Sequence, residues 1–409
     1  MSLIRLTNTK EIWTFSQLAK KRGRYPKNED ASIIKGADLL VNAAGKIVYL
    51  GPARNIPARL RSQITKTLSA EGGYVLPGFI ECHTHLTFVG SRSQELDLRN
   101  QGLTYQQITQ RGGGIFSTVQ QVRRATLSDL ININQTHLQR FYEQGVVLVE
   151  AKSGYGLNYH SETKILKSLL KVSRPQTVIP TFLGAHSLPP EFTSWQKYLA
   201  YWLPYLPRIR SLASRLDIFI DAGFCPLELG KQFLKSAQKL GFMVTIHADQ
   251  LTRQGATQLG VELGASSVDH VIHVTQKDIQ QLSRSETVAV LLPIADLYLK
   301  CPYPPARALI DAGACVALST DFNPGTAPSQ SLGLVGLLAR LEMKMTLIEV
   351  LNGFTVGAAQ ALRRLDTLGS LEIGKCAHWQ IYSHHPFDLF YSADPLRPTQ
   401  VFIAGQRII

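Results

Sequence analysis

The stretch "LPGFIECHTHLTF", residues 76–88, sets His83 and His85 one residue apart behind a Pro-Gly break. Along an extended chain residues i and i+2 face the same side, so both imidazoles can reach one ion. Alone, such a pair is more often structural or exposed, but other apolar runs also stop at ionisable residues. "TFLGAH" ends on His186, "FMVTIHA" carries His247, "SSVDH" ends on His270 and "CVALSTD" ends on Asp321. Imidazole nitrogens and a carboxylate suit Zn2+ or Fe2+, and an incomplete ligand shell leaves room for water. By themselves, His247 reads as a satisfied core histidine and Asp321 as a cap. Their joint placement argues for a metal.

For these residues to meet, the elements carrying them must converge. Eight short apolar runs read as strands: residues 78–83, 146–152, 177–186, 216–222, 242–248, 266–270, 287–293 and 315–321. Between them lie amphipathic stretches such as "LSDLININQTHLQRFYEQG" and "ELGKQFLKSAQKLG", the second closing on Gly241 as a C-terminal cap. Near-continuous apolar strands alternating with helices indicate a parallel sheet, and eight such units over about 250 residues indicate a closed (β/α)8 TIM barrel. An open doubly wound sheet is the rival, but no GxGxxG follows the first strand. In a barrel the carboxyl ends of the strands share one mouth, where catalytic groups gather. His83, His85, His186, His247, His270 and Asp321 all fall at such ends.

The chain ends differ. "ADLLVNAAGKIVYLGP" reads as a hairpin around a Gly turn, and "PTQVFIAGQRII" as a second one. Pieces that short rarely stand alone. Residues 1–74 and 366–409 are therefore expected to build one small β-sandwich, with the barrel inserted as residues 75–365.

Composition excludes more than it assigns. With 409 residues and 44% hydrophobic content the chain can bury a large core. It shows no apolar leader and no run near the roughly 18 residues of a membrane span, so a cytoplasmic protein with no membrane partner is expected. The five scattered cysteines argue against a disulfide framework. A net charge of +13 raises the question of nucleic acid. The densest basic run, "AKKRGRYPKNED" (residues 19–30), ends in its own acids within a Gly- and Pro-containing turn and reads as a solvated loop. Aromatic residues do not interleave with basic ones as on a stacking platform, and no nucleic-acid partner is expected.

Taken together, "PGFIECHTHLTFVGSR", "RGGGI", "EAKSGYGL", "TFLGAH", "HADQ", "VDH" and "TDFNPGT" resemble, in order, the imidazolonepropionase family of the amidohydrolase superfamily. The bare HxH and late Asp would indicate only the superfamily; "EAKSGYG" and "TDFNPGT" are far more specific. The resemblance implies a metal-dependent barrel with a small β-sandwich. It implies hydrolysis of 4-imidazolone-5-propanoate to N-formimidoyl-L-glutamate in histidine degradation, with one Zn2+ or Fe ion per subunit and, by analogy, a homodimer. Carried over by position, it makes His83, His85, His247 and Asp321 the metal ligands. Arg92, Tyr155, His186, Gln250, Asn323, Gly325 and Thr326 become substrate contacts, and His270 stands near the reacting water. With Asp321 it forms the catalytic pair. Arg92 offers a planar fork suited to a propionate carboxylate.

One position departs from the pattern of some family members, where Glu stands three residues after the fifth-strand histidine. Here it is Gln250, which can orient a ring by hydrogen bonds but cannot act as acid or base. The same residue disfavours related metal-dependent deaminases, which need a Glu in an HxxE arrangement. Hydantoinase-like relatives use a carboxylated lysine between two metals. Lys152 is the one tempting candidate, and it lies within "EAKSGYG", where a salt-bridge role is expected instead. The reading from another class, a catalytically silent barrel used as a scaffold, predicts degraded ligands, which this sequence does not show.

Overall fold

A computed structural model of the chain describes residues 2–103, 107 and 113–409; Arg111 and Gly112 of the "RGGGI" motif lie outside the described residues. Eight parallel strands follow one another around a single sheet: Phe79–Glu81, Val146–Lys152, Val178–Phe182, Arg215–Ile220, Met243–Ala248, Ser267–His270, Val288–Leu291 and Val316–Leu318. Each pairs with the next in sequence. Strand identity follows from composition: runs rich in Val, Ile and Leu, buried on both faces, suit a sheet covered by helices. All eight sequence-predicted strands are present, most of them shorter than the apolar runs suggest. His83, His85, His186 and Asp321 lie just past the ends of their strands, whereas His247 and His270 remain in the ladder.

The first and last strands close the barrel through side chains and a backbone bond just beyond the strands. The Ser319 hydroxyl accepts from the amides of Cys82 (3.1 Å) and His83 (2.8 Å). Thr320 donates its amide to Glu81 (3.0 Å), and the His85 amide donates to the carbonyl of Phe322 (2.9 Å). The seam therefore joins the segment carrying His83 and His85 directly to the one carrying Asp321.

The covering helices follow their local signals. Helix Leu127–Tyr142 starts in a capping box in which the Thr126 hydroxyl and the Asp129 carboxylate satisfy each other's amides. Helix Leu227–Lys239 ends where Gly241 adopts a left-handed φ of 82°, as its position predicts. No helix among the described residues is long and apolar enough to cross a membrane.

Two further sheets lie outside the barrel, the first built from the N-terminal segment and the second from both termini. One has the order Ile47–Pro52, Ala37–Asn42, Leu3–Thr7, Ile64–Ser69; the other runs Gln406–Arg407, Gln400–Ile403, Trp379–Tyr382, Tyr74–Pro77, Glu11–Trp13, Ile33–Lys35. Leu6, Leu39, Val75, Trp379 and Phe402 share one buried cluster, so residues far apart in sequence make one apolar interior. Both predicted hairpins are present. Tyr74–Pro77 runs straight into the first barrel strand through Gly78, where a Cβ would lie 2.4 Å from Val147. Only glycine permits that approach.

Lys20, Lys21, Arg22 and Lys27 of the basic segment are exposed, as a solvated loop predicts, but two of its arginines reach across to the barrel. Arg24 donates to the carbonyls of Ser283 and Ser285 at the end of helix Gln276–Ser283, and Arg22 pairs with Glu286 at 2.6 Å. A cation at a helix C-terminus meets the negative end of the helix dipole and its unbonded carbonyls. These partners lie about 260 residues away in sequence, so local composition could not reveal them.

His378, in the terminal sheets, yields a pH prediction. Burial pushes its imidazole down to about 4, and its Nδ1 accepts from the amide of Ala404 (2.9 Å). The folded state thus favours the neutral ring. Its contribution is fully present above the unfolded value near 6.5 and is lost as pH falls from there toward 4. About 3 kcal/mol is the ceiling, reduced by the ring's partial exposure. Urea unfolding of His378→Gln should show a flatter fall in stability between pH 6.5 and 4 than the parent; parallel curves would contradict this.

Candidate metal centre and substrate pocket

Four side chains from the first, fifth and eighth strand ends meet at one point. His83 Nε2 and His85 Nε2 each lie 3.4 Å from Asp321 Oδ1, and His247 Nε2 lies 3.4 Å from His85 Nε2. Ligand atoms bonded tetrahedrally at about 2.0–2.1 Å stand about 3.4 Å from one another. The spacing fits a single small cation. All four residues are buried, and His83 Nε2 and Asp321 Oδ1 have no hydrogen-bond partner. Buried acceptors facing one another without a donor are costly, and a cation between them removes that cost. His270 belongs to the same cluster: one nitrogen of its ring lies within 4.8 Å of donor atoms of His83 and His247.

Electrostatics prepares the rings. Burial pushes the imidazoles of His83, His85 and His270 well below their ordinary range, so they present lone pairs at neutral pH. His247 differs: burial lowers it too, but the Asp217 carboxylate, 2.9 Å from Nδ1, carries it above the ordinary value. His83 has an equivalent support, with its Nδ1 2.7 Å from Asp269. Asp269 is hydrogen-bonded to His83 Nδ1 and Asp217 stands against His247 Nδ1, so that each Nε2 is left to face the centre.

Backbone strain collects in the same place. Asp249, His270, Val271 and Asp321 all have left-handed φ values, between 48° and 75°, at or just beyond the ends of the fifth, sixth and eighth strands. Val271, being β-branched, is the costliest of these. Such outliers persist where surrounding structure over-determines them, commonly at functional sites.

Around the centre stand the other residues singled out in the sequence. The His186 ring stacks on His85 (4.9 Å between centroids, 20° between planes), and Tyr155 lies 5.8 Å from His85 and 5.6 Å from His186. Asn323 organises the loop after the eighth strand: its Oδ1 accepts from the amides of Gly325 (2.9 Å) and Thr326 (2.8 Å), and its Nδ2 donates to the carbonyl of Asp321 (2.7 Å). Arg92 is pressed against that loop, since a Cβ on Gly325 would lie 2.3 Å from its guanidinium. The same guanidinium forms a bidentate pair with Glu95 (2.9 and 2.7 Å). Gln250 is buried, and its backbone N–H donates to Asp221 at 3.0 Å. Its neighbour Asp249 turns away to accept from the first amides of helix Ala256–Glu262.

Residues 222–408 match the model of the amidohydrolase family. The imidazolonepropionase of Bdellovibrio bacteriovorus is 47% identical over 410 residues, covering 99% of this chain and 96% of that one. The chain belongs to the imidazolonepropionase family. The family's Bacillus cytotoxicus member is 40% identical over 84% of this chain and 82% of its own. Solved structures show the same fold at much lower identity. An adenosine deaminase from Xanthomonas campestris with bound zinc superposes with a TM-score of 0.73 at 16% identity, covering 99% of this chain and 92% of that one. A triazine hydrolase variant superposes with a TM-score of 0.74 at 15% identity, over 100% and 95%.

Several buried groups of this imidazolonepropionase-family chain escaped motif reasoning. Asp217 and Asp269 are two. Lys152 makes the salt bridges expected of it: its ammonium lies 2.9 Å from Asp217 and 3.0 Å from Glu150. Burial opposes its charge, but Asp217, Glu150 and Asp269 hold its pKa above the ordinary value. A lysine so held is a cation, whereas carboxylation needs the neutral amine, which disfavours the bridging role of hydantoinase-like relatives. Glu162 is a third such group: its carboxylate accepts from the amides of Gly154 (2.8 Å), Gly156 (2.6 Å) and Leu157 (2.7 Å), shaping the "SGYGL" loop that bears Tyr155. The available signal was an ionisable residue inside an apolar strand, as in "VVLVEAK" and "LDIFIDA". Such a residue has to be paired.

Proposed function

We infer that this chain is a hydrolase of the imidazolonepropionase type, opening the ring of 4-imidazolone-5-propanoate to N-formimidoyl-L-glutamate in histidine degradation. Its 47% identity over 99% of its length to a curated imidazolonepropionase carries the reading. A single Zn2+ or Fe ion held by His83, His85, His247 and Asp321 agrees with the 3.4 Å spacing of their donor atoms. At that point it supplies a Lewis acid that lowers the pKa of water from about 15.7 to about 7.

The chain's own groups do the rest. Attack of water on the ring carbonyl carbon breaks its bond to nitrogen; the water oxygen ends in the new carboxylate and a proton goes to the departing nitrogen. Asp321 and His270, both buried at the centre, are the groups that take and return that proton. His270 also faces the developing oxyanion. Tyr155 and His186 orient the ring, and Gln250 does so without acid or base chemistry. Gly325 and Thr326 offer a loop the substrate can approach closely. Arg92 faces the propionate, which then competes with Glu95 for the guanidinium. By analogy with the family, the assembly is a cytoplasmic homodimer.

The decisive experiment incubates imidazolonepropionate with the purified chain and follows ring absorbance together with formimidoylglutamate, alongside elemental analysis. Ring decay with stoichiometric product and near one Zn or Fe per chain is expected. A metal-loaded protein that leaves the ring intact would defeat the assignment.

A further inference from the structure

Behind the candidate centre, one ammonium faces every support of its histidines. Lys152 Nζ lies 2.9 Å from Asp217, 3.0 Å from Glu150 and 3.8 Å from Asp269. Asp217 reaches His247 Nδ1 and Asp269 reaches His83 Nδ1, at 2.9 and 2.7 Å. Glu150 accepts from the amide of Thr84 at 3.3 Å, the residue between His83 and His85. The Lys152 amide donates to the Thr84 carbonyl at 2.9 Å, and the Thr84 hydroxyl to the Glu150 carbonyl at 2.7 Å. Lysine carries three N–H donors and no acceptor, and here it meets three carboxylates. All four residues are buried.

Resting on the metal reading given above, we propose that Lys152 is a positioning residue for the centre, acting through Asp217, Asp269 and Glu150. Three carboxylates crowded around one point repel one another, and each would turn toward any other donor. The ammonium holds them together, and so keeps two of them on the Nδ1 hydrogens of His247 and His83. With those hydrogens fixed, the Nε2 lone pairs point at the ion. The Glu150 arm fixes the backbone between His83 and His85, setting the separation of the two rings. Lys152 itself touches neither ion nor substrate. Its strand alternation with Glu150 puts both side chains on the inner face of the barrel.

The test measures Zn2+ affinity of the full chain, stripped of metal, by competition with a chromophoric chelator. Circular dichroism and thermal melting report folding separately. Lys152→Met should bind Zn2+ about 10- to 100-fold more weakly, the range typical when an outer partner of a metal-binding histidine is lost. Asp217→Asn should weaken it comparably. The double variant should be weaker than Asp217→Asn by less than about threefold if Lys152 acts chiefly through that carboxylate. A folded Lys152→Met that binds Zn2+ like the parent overturns the proposal, as do fully additive losses, which would make Lys152 a general stabiliser of the barrel. If Lys152→Met does not fold, Lys152→Arg takes its place: it keeps the charge but cannot put one nitrogen among three carboxylates, and unchanged Zn2+ affinity in it is equally fatal. Parent protein that takes up no Zn2+ would defeat the metal reading itself, and is read from a separate arm.

Discussion

Asp321→Asn is expected to lose the metal and to reduce kcat/KM by at least about 10,000-fold, because one change removes an anionic ligand and a proton acceptor together. Asp321 is held with φ at 54°, a left-handed conformation that Asn adopts more readily than most residues. Its carbonyl would still receive the Asn323 amide. The fold around it should persist, so the loss would report chemistry. Burial pushes the Asp321 carboxyl up, yet its close approach to His83 and the neighbouring imidazoles carries it below the ordinary range, and it stays an anion. An amide in that place cannot balance a divalent charge. Elemental analysis and turnover of the folded variant check the prediction; retained metal with a tenth of the parent rate would remove Asp321 from both roles.

His270→Asn separates proton transfer from metal holding. The His270 backbone also sits in the left-handed region, φ 75°, which again favours Asn over most replacements. His83 Nδ1 is hydrogen-bonded to Asp269 at 2.7 Å and His247 Nδ1 lies 2.9 Å from Asp217, whereas the buried His270 Nδ1 has neither a hydrogen bond nor, among the described residues, a carboxylate beside it. A ring without such an anchor is suited to move a proton rather than to grip an ion. The variant should keep near-parental metal and KM while kcat falls about 100- to 10,000-fold, the range for loss of a general acid or base. The geometry also brings His270 into a group with His83 and His247, so the opposite outcome is informative. Metal lost in step with activity would make His270 a ligand.

Legibility in the sequence differs from residue to residue. The eight strands were legible because a barrel strand is apolar on both faces and therefore nearly continuous in sequence. The mouth was legible for a related reason: His83, His186, His247, His270 and Asp321 each interrupt or end such a run. The hairpins at the two ends announced themselves by Gly turns between alternating residues. What could not be read was any partnership across the barrel. Ser319 looks like an unremarkable serine in "ALSTD", yet it closes the seam on Cys82 and His83. Arg24 looked solvated, yet it is spent on carbonyls at Ser283 and Ser285. Arg92 looked available to a carboxylate and is paired with Glu95.

Residue type and local periodicity are properties of a few neighbouring positions, so the sequence by itself determined the strands, the covering helices and the side chains able to bind an ion. Distance between those side chains depends on how the barrel closes and on which buried charge finds which partner. Tertiary structure alone therefore decided that donor atoms from three strand ends stand 3.4 Å apart, and that Lys152 gathers the carboxylates behind them. Burial is the reason: inside the barrel every charge must be paired, and the pairing is chosen by proximity in space.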